Sequence, residues 1–113
     1  MLRPFVLSLS ILLALAGTTR VAAADLPSVT LIIRNHTFTP DKVTIPAGRK
    51  VVLVVHNQDV TPEEFESNEF NREKLILGGQ TARIYVGPLA PGRYRFFGEF
   101  HADTAQGVLV VEQ

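Results

Sequence analysis

Four places in this chain carry side chains able to hold a metal ion: His36, the run Glu63-Glu64-Phe65-Glu66, Glu99 and His101. Three carboxylates within four residues repel one another unless water, a cation or basic side chains screen them. On an extended backbone Glu64 and Glu66 project to one face, while Glu63 and Phe65 project to the other. With Phe65 in a core, the Glu64–Glu66 pair therefore faces away from it. Glu99 and His101 share a face on the same condition of an extended backbone. Carboxylates joined by an imidazole form a hard-to-borderline donor set. Such a set suits Fe(II), Fe(III), Mn(II), Cu(II) or Zn(II), and not Cu(I), which prefers sulfur.

Each of these residues also has an ordinary surface reading. The acidic run reads equally as a solvated turn that keeps a sheet edge soluble. Arg72 and Lys74 are close in sequence and would neutralise it through surface ion pairs worth ~0–1 kcal/mol. His101 reads as an exposed loop residue and His36 as a polar residue ending a strand. His56 closes an apolar run and reads as a satisfied, partly buried histidine. Other chemistries find little support. Ser28 and Ser67 lack a neighbouring base and orienter, and the chain has no cysteine, so no nucleophile constellation exists. Gly78-Gly79 lacks the helix and lysine of a phosphate loop and reads as a turn.

The elements that position these residues begin after a leader. Arg3 precedes an almost wholly apolar stretch over 5–16, and Ala22-Ala23-Ala24 supplies the small residues of a signal-peptidase site. The apolar stretch is shorter than the ~20 residues of a spanning helix. Residues 1–24 are expected to be a cleaved signal peptide, with a retained N-terminal anchor as the competing reading. Residues 25–113 are expected to form one domain in the periplasm. Without Arg3 and Arg20, the 11 acidic side chains face nine basic ones, a net charge of −2. That balance gives no footing for nucleic acid or for direct binding to anionic lipid. No disulfide is available to staple so small a domain, so its stability rests on the core, with a metal as a possible aid.

The domain reads as short β runs between turn signals: 29–34 (VTLIIR), 42–45, 50–56 (KVVLVVH), 80–86, 93–97 and 108–111, with Phe65 and 75–77 on shorter or irregular strands. The run at 50–56 is apolar on both faces, as in a strand covered on both sides. The expected fold class is all-β, an antiparallel Greek-key β-sandwich. Leu89-Ala90-Pro91-Gly92-Arg93-Tyr94 predicts a tyrosine corner, a fold marker without functional content.

The whole of 25–113 resembles small periplasmic cupredoxin-like proteins. Phe38-Thr39-Pro40, Val43-Thr44-Ile45-Pro46-Ala47-Gly48, Asn57-Gln58-Asp59 with Pro62-Glu63-Glu64-Phe65, and the segment 94–111 carry the likeness. In that family the first copper-binding histidine falls on Glu63 and the cysteine on Gly98. No methionine stands near Gln106, and only His101 keeps a metal-loop ligand. A blue-copper carrier has no thiolate donor here. The Glu64-Phe65-Glu66 run, Asn71-Arg72-Glu73 and the Gly98-Glu99-Phe100-His101 loop resemble the cupredoxin-like component of bacterial ferrous-iron permease systems. That resemblance implies an iron or copper ion held by Glu64, Glu66, Glu99, His101 and His36, with Glu63 as the alternative to Glu64. It also implies a membrane iron permease and other periplasmic uptake components as partners, and a role in Fe(II) oxidation or delivery. Cu(II) handling, or docking on a partner without a metal, are the other readings.

Overall fold

The computed structural model describes residues 26–113 without a break, together with residues 2–5, 10–11, 13–14 and 17. The expected cleavage point at Ala24, and much of the leader with it, lies outside the described residues. No helix among the described residues is long and apolar enough to cross a membrane.

Nine strands form two packed sheets: β1 Ser28–Arg34, β2 Thr37–Thr39, β3 Lys42–Pro46, β4 Val51–Asn57, β5 Glu63–Ser67, β6 Arg72–Ile76, β7 Thr81–Val86, β8 Gly92–Gly98 and β9 Gln106–Glu112. One sheet has the order β2-β1-β4-β7 and the other β3-β9-β8-β5-β6. The all-β sandwich is as the sequence predicts, with one difference in detail. The β1–β4 and β3–β9 pairs run parallel, and the remaining pairs are antiparallel. Each parallel pair is formed by strands that a crossover separates, and alternation of residue type carries no record of strand direction.

The core lies between the sheets and follows the period-2 pattern. Ala82, Ile84 and Val86 of β7 point inward, while Thr81, Arg83 and Tyr85 are exposed. In β4 every residue is buried or half-buried. Phe65 is fully buried and packs on Phe96 with ring centroids 5.2 Å apart, and edge-on to Phe38 at 6.0 Å. This aromatic cluster anchors the middle of β5, and truncating Phe65 would cost roughly 3–5 kcal/mol. The predicted tyrosine corner is present, since the Tyr94 hydroxyl donates to the Ala90 carbonyl at 2.8 Å.

Three local features shape the surroundings of β5. First, β5 is not an edge or a turn: β8 and β6 flank it on either side. Second, Asn35 and His36 join β1 to β2 with φ of 52° and 56°, the two left-handed residues of a tight hairpin turn. Third, the chain leaves β8 through a 3-10 turn, Glu99–His101. The Gly98 N–H donates to Ala105 O at 2.9 Å, and the Ala105 N–H donates to His101 O at 2.8 Å. These bonds draw the loop after β8 into a compact knot.

Candidate metal centre

Glu64 and Glu66 lie on the outer face of β5, because Glu63, Phe65 and Ser67 alternate into the interior. The register of the β5–β6 hairpin puts Glu73 directly opposite Glu66 and Leu75 opposite Glu64. Glu99 arrives from the 3-10 turn. The carboxylates of Glu64, Glu66, Glu73 and Glu99 each offer an oxygen, and these oxygens all lie within 4.8 Å of one another. Three separate elements therefore converge on one point.

The cluster is electrostatically uncompensated. Arg72 spends its guanidinium on the Tyr85 and Asn71 carbonyls, at 2.7 and 2.9 Å. Lys74 pairs with Phe65, on the alternate set of β6 positions from Glu73. The only ion pair among the described residues joins His101 to Glu63. The neutralised surface turn is therefore not what the sequence builds. Glu64 Oε1 and Glu66 Oε2 are shielded from water and meet no donor. Carboxylates packed in this way must share protons or a cation. Contact with the Glu73 carboxyl, then desolvation, then Glu99 push the Glu64 carboxyl up to about 7. For Glu66 the contact with Glu99 leads, followed by desolvation, and again the result is about 7.

The inner face of β5 holds a different arrangement. Glu63 is buried, at 1% exposure, and fully satisfied. Its Oε1 accepts from the backbone N–H groups of Glu64 at 3.0 Å and Phe100 at 2.9 Å. Its Oε2 accepts from His101 Nδ1 at 2.6 Å. The imidazoles of His36 and His101 stack with centroids 3.5 Å apart and planes 9° from parallel. His36 is held from three sides. Asp59 accepts the N–H groups of Asn35 and His36 at 2.8 and 3.0 Å, the Thr104 hydroxyl donates to His36 O at 2.6 Å, and Nε2 lies 3.4 Å from Thr61 Oγ1. Burial opposes ionisation of Asp59, but the two backbone donors and the nearby imidazoles hold its carboxyl below the usual range.

Of the five residues expected to form one site, Glu64, Glu66 and Glu99 come together, and His101 with His36 forms a separate pair. The 3-10 geometry is the reason. At three residues per turn, Glu99 and His101 cannot share a face, and the extended backbone assumed from sequence is not adopted there. The residue that sequence reasoning passed over as a ligand is Glu73, although it had stood in the Asn71-Arg72-Glu73 element. A register count across the Asn68-Glu69-Phe70-Asn71 turn would have placed it opposite Glu66.

The model of the family described as Cupredoxin-like domain matches residues 5–111. An uncharacterized protein of Rickettsia prowazekii (strain Madrid E) is 45% identical over 83 residues, which take in 74% of this chain and 66% of that protein. The chain thus spans just under two thirds of that relative's length. Among solved structures, auracyanin A, a blue copper protein of Chloroflexus aurantiacus, superposes with a TM-score of 0.65 at 16% identity, covering 75% of this chain and 98% of its own. The metal-binding domain of the Streptococcus pneumoniae D39 Cu(I)-exporting P-type ATPase, solved with Cu(I), gives 0.69 at 15%, covering 76% and 85%. Amicyanin from Paracoccus versutus gives 0.61 at 25%, covering 81% and 90%.

Proposed function

The chain belongs to the cupredoxin-like domain family, and on that premise we propose that it is a periplasmic metal-binding protein whose cargo is a hard cation, iron above all. The observation that carries this reading is the four-carboxylate cluster of Glu64, Glu66, Glu73 and Glu99 with its two donorless, shielded oxygens. An all-oxygen set suits Fe(II), Fe(III) and Mn(II), and disfavours Cu(I). Four carboxylates stabilise the higher charge of Fe(III) more than Fe(II). The site therefore favours oxidation of bound Fe(II) once an external electron acceptor is present, and the cation is then passed to a membrane iron permease.

The copper centre of the family's electron carriers does not fit these residues. A Cβ at Gly98 would lie 2.6 Å from Glu63 Cδ and 2.8 Å from Ala105 Cβ. Glu63 thus fills the space of a side chain at the cysteine position, and its carboxylate occupies His101 Nδ1. A second reading, Cu(II) handling, draws on the adjacent imidazoles of His36 and His101. Anaerobic calorimetry with Mn(II), Fe(II) and Cu(II) separates the two. A Glu64→Gln/Glu73→Gln variant is expected to lose Mn(II) and Fe(II) affinity by about 100-fold or more, since removing even supporting groups of metal sites costs 10–100-fold. Unchanged Mn(II) affinity in that variant would overturn the cluster as the site. Cu(II) binding tighter than Fe(II) and lost in His36→Ala would favour the copper reading.

A further inference from the structure

The outer face of the β3-β9-β8-β5-β6 sheet carries a second constructed feature beside the carboxylate cluster. β5 and β8 pair only at Phe65–Gly98 and Glu66–Phe97. Beyond that rung the strands part, and side chains take over the backbone groups of Arg95. Ser67 Oγ donates to Arg95 O at 2.6 Å, and the Arg95 N–H donates to Glu69 Oε2 at 2.7 Å. Beside this segment, over β8, β9 and the start of β3, lies a groove of about 1010 Å³, with Glu69 of the β5–β6 turn at its rim. Its lining includes Phe97 and Val108, with Lys42, Arg93 and Arg95 as its cations. Asp41 and Glu69 also line it, and Glu69 is committed to the Arg95 N–H. Beneath the groove Gly107 leaves room for the buried Phe96 ring, with which a Cβ there would collide at 2.2 Å.

The cations of the groove are unused. Among the described residues none of Lys42, Arg93 and Arg95 has an ion-pair partner, the single such pair being His101–Glu63. Arg93 and Arg95 stand two apart on β8, hence on one face and about 7 Å from each other along the strand. Lys42 of β3 is reached across β9, since Val108 pairs with both Lys42 and Arg95. Two guanidinium forks and an ammonium around a partly apolar floor recognise carboxylates set a few bonds apart on one small molecule. The groove meets the acidic cluster at the Glu66–Phe97 rung, so along β8 the outer face runs from Arg93 and Arg95 through Phe97 toward Glu99.

We propose that this groove binds a small molecule bearing two or more carboxylates, the oxygen-donor chelator with which the cation of the neighbouring cluster arrives. The proposal rests on the cation-cargo reading for its second half only. An ion surrounded by four carboxylates would repel an anionic chelator. Lys42, Arg93 and Arg95 outnumber the two carboxylates of the groove, Asp41 and Glu69, and leave a net positive charge that offsets part of that repulsion.

The test uses the full chain with tricarballylate as the tricarboxylate probe, succinate as the shorter comparison and Mn(II) as the cation. Titration calorimetry is expected to show tricarballylate binding that weakens about tenfold or more in Arg93→Gln/Arg95→Gln, as loss of charge-assisted hydrogen bonds requires. Mn(II) affinity should stay unchanged in that variant, and circular dichroism checks its fold. Mn(II) and tricarballylate should each tighten the other's binding by the same factor. No binding of tricarballylate at millimolar concentration, or binding indifferent to the two arginines, would overturn the groove assignment. A Glu-rich peptide that binds more tightly than tricarballylate would overturn the small-molecule class in favour of a protein partner. Mutual independence of the two ligands would overturn the chelator role. Failure of Mn(II) to bind while tricarballylate still binds would sink the cation reading and leave the groove standing.

Discussion

The two faces of β5 hold carboxylates in opposite states. Glu63 points inward and is buried, yet three donors meet its two oxygens. Glu64 and Glu66 point outward and are only partly buried, yet each has an oxygen with no donor. Burial alone would rank Glu63 as the anomaly. The hydrogen-bond accounting reverses that ranking. A satisfied carboxylate stabilises the fold as it stands, and a crowd of unsatisfied ones is relieved only by shared protons or by a cation, the second being the proposed role. One strand separates the two roles by its two-residue period.

The strongest way to break this contrast is to remove a carboxylate from each face. Glu63→Ala strands the N–H groups of Glu64 and Phe100 and the Nδ1 of His101. It is expected to destabilise the apo protein by about 2–4 kcal/mol in denaturant titration. Glu64→Gln/Glu66→Gln should do the reverse at pH 8, raising the melting temperature by removing like-charge repulsion while Mn(II) binding is lost. Equal signs for the two variants would mean that the two faces do not differ in kind.

Gly98 sharpens the same comparison. Its missing side chain and the Glu63 carboxylate occupy one space. Gly98→Ala is therefore expected to cost about 1–3 kcal/mol through overpacking. Adding Glu63→Ala should cost less than the sum of the two single changes, because the second removes the collision made by the first. Strict additivity in that double-mutant cycle would show that Ala105, the other close neighbour, sets the cost.

The pH response follows from the outward pair. The Glu64 and Glu66 carboxyls rise from 4.5 to about 7 in the fold. Between those values the folded chain binds more protons than the unfolded one, so apo stability falls as pH rises across this window and the stabilisation is lost above about 7. Thermal melts of the apo protein should decline from pH 5 to pH 8. With saturating Mn(II) the decline should flatten or invert, because the cation replaces the protons. Metal affinity should weaken below pH 7 with proton release on binding. An apo melting temperature that rises steadily over this range would contradict the shared-proton cluster.

Much of this was legible in the sequence. Alternation located the strands, the Pro-Gly-Arg-Tyr turn gave the tyrosine corner, and Glu64 with Glu66 fell on one face from their spacing alone. Two things were not legible. Glu73 joins the cluster through hairpin register, a long-range property that no single strand encodes. Glu99 and His101 part company because the loop after Gly98 tightens into a 3-10 turn. That turn depends on the bonds from Gly98 and Ala105 across the loop, which a local pattern does not announce. The sequence pattern therefore merges into one group two arrangements that the structure holds apart, the carboxylates of Glu64, Glu66 and Glu99 and the imidazole pair of His36 and His101.

His36 gives the smallest expected effect and decides whether the two arrangements are independent. His36→Gly relieves a left-handed non-glycine residue, worth about 1 kcal/mol, and gives up the stacked contact with His101, worth about 0.5–1 kcal/mol. These oppose, so stability should stay within about 1 kcal/mol of the parent. The turn survives because Asp59 accepts from the backbone N–H of position 36, not from its side chain. Mn(II) affinity should then change by less than about threefold, the effect of under 1 kcal/mol, since no imidazole belongs to the four-carboxylate group. Any Cu(II) affinity supplied by the imidazole pair should fall. Should Mn(II) affinity fall together with that of Cu(II), the inner and outer faces of β5 would be serving one ion, and the division between satisfied and waiting carboxylates would have to be redrawn around it.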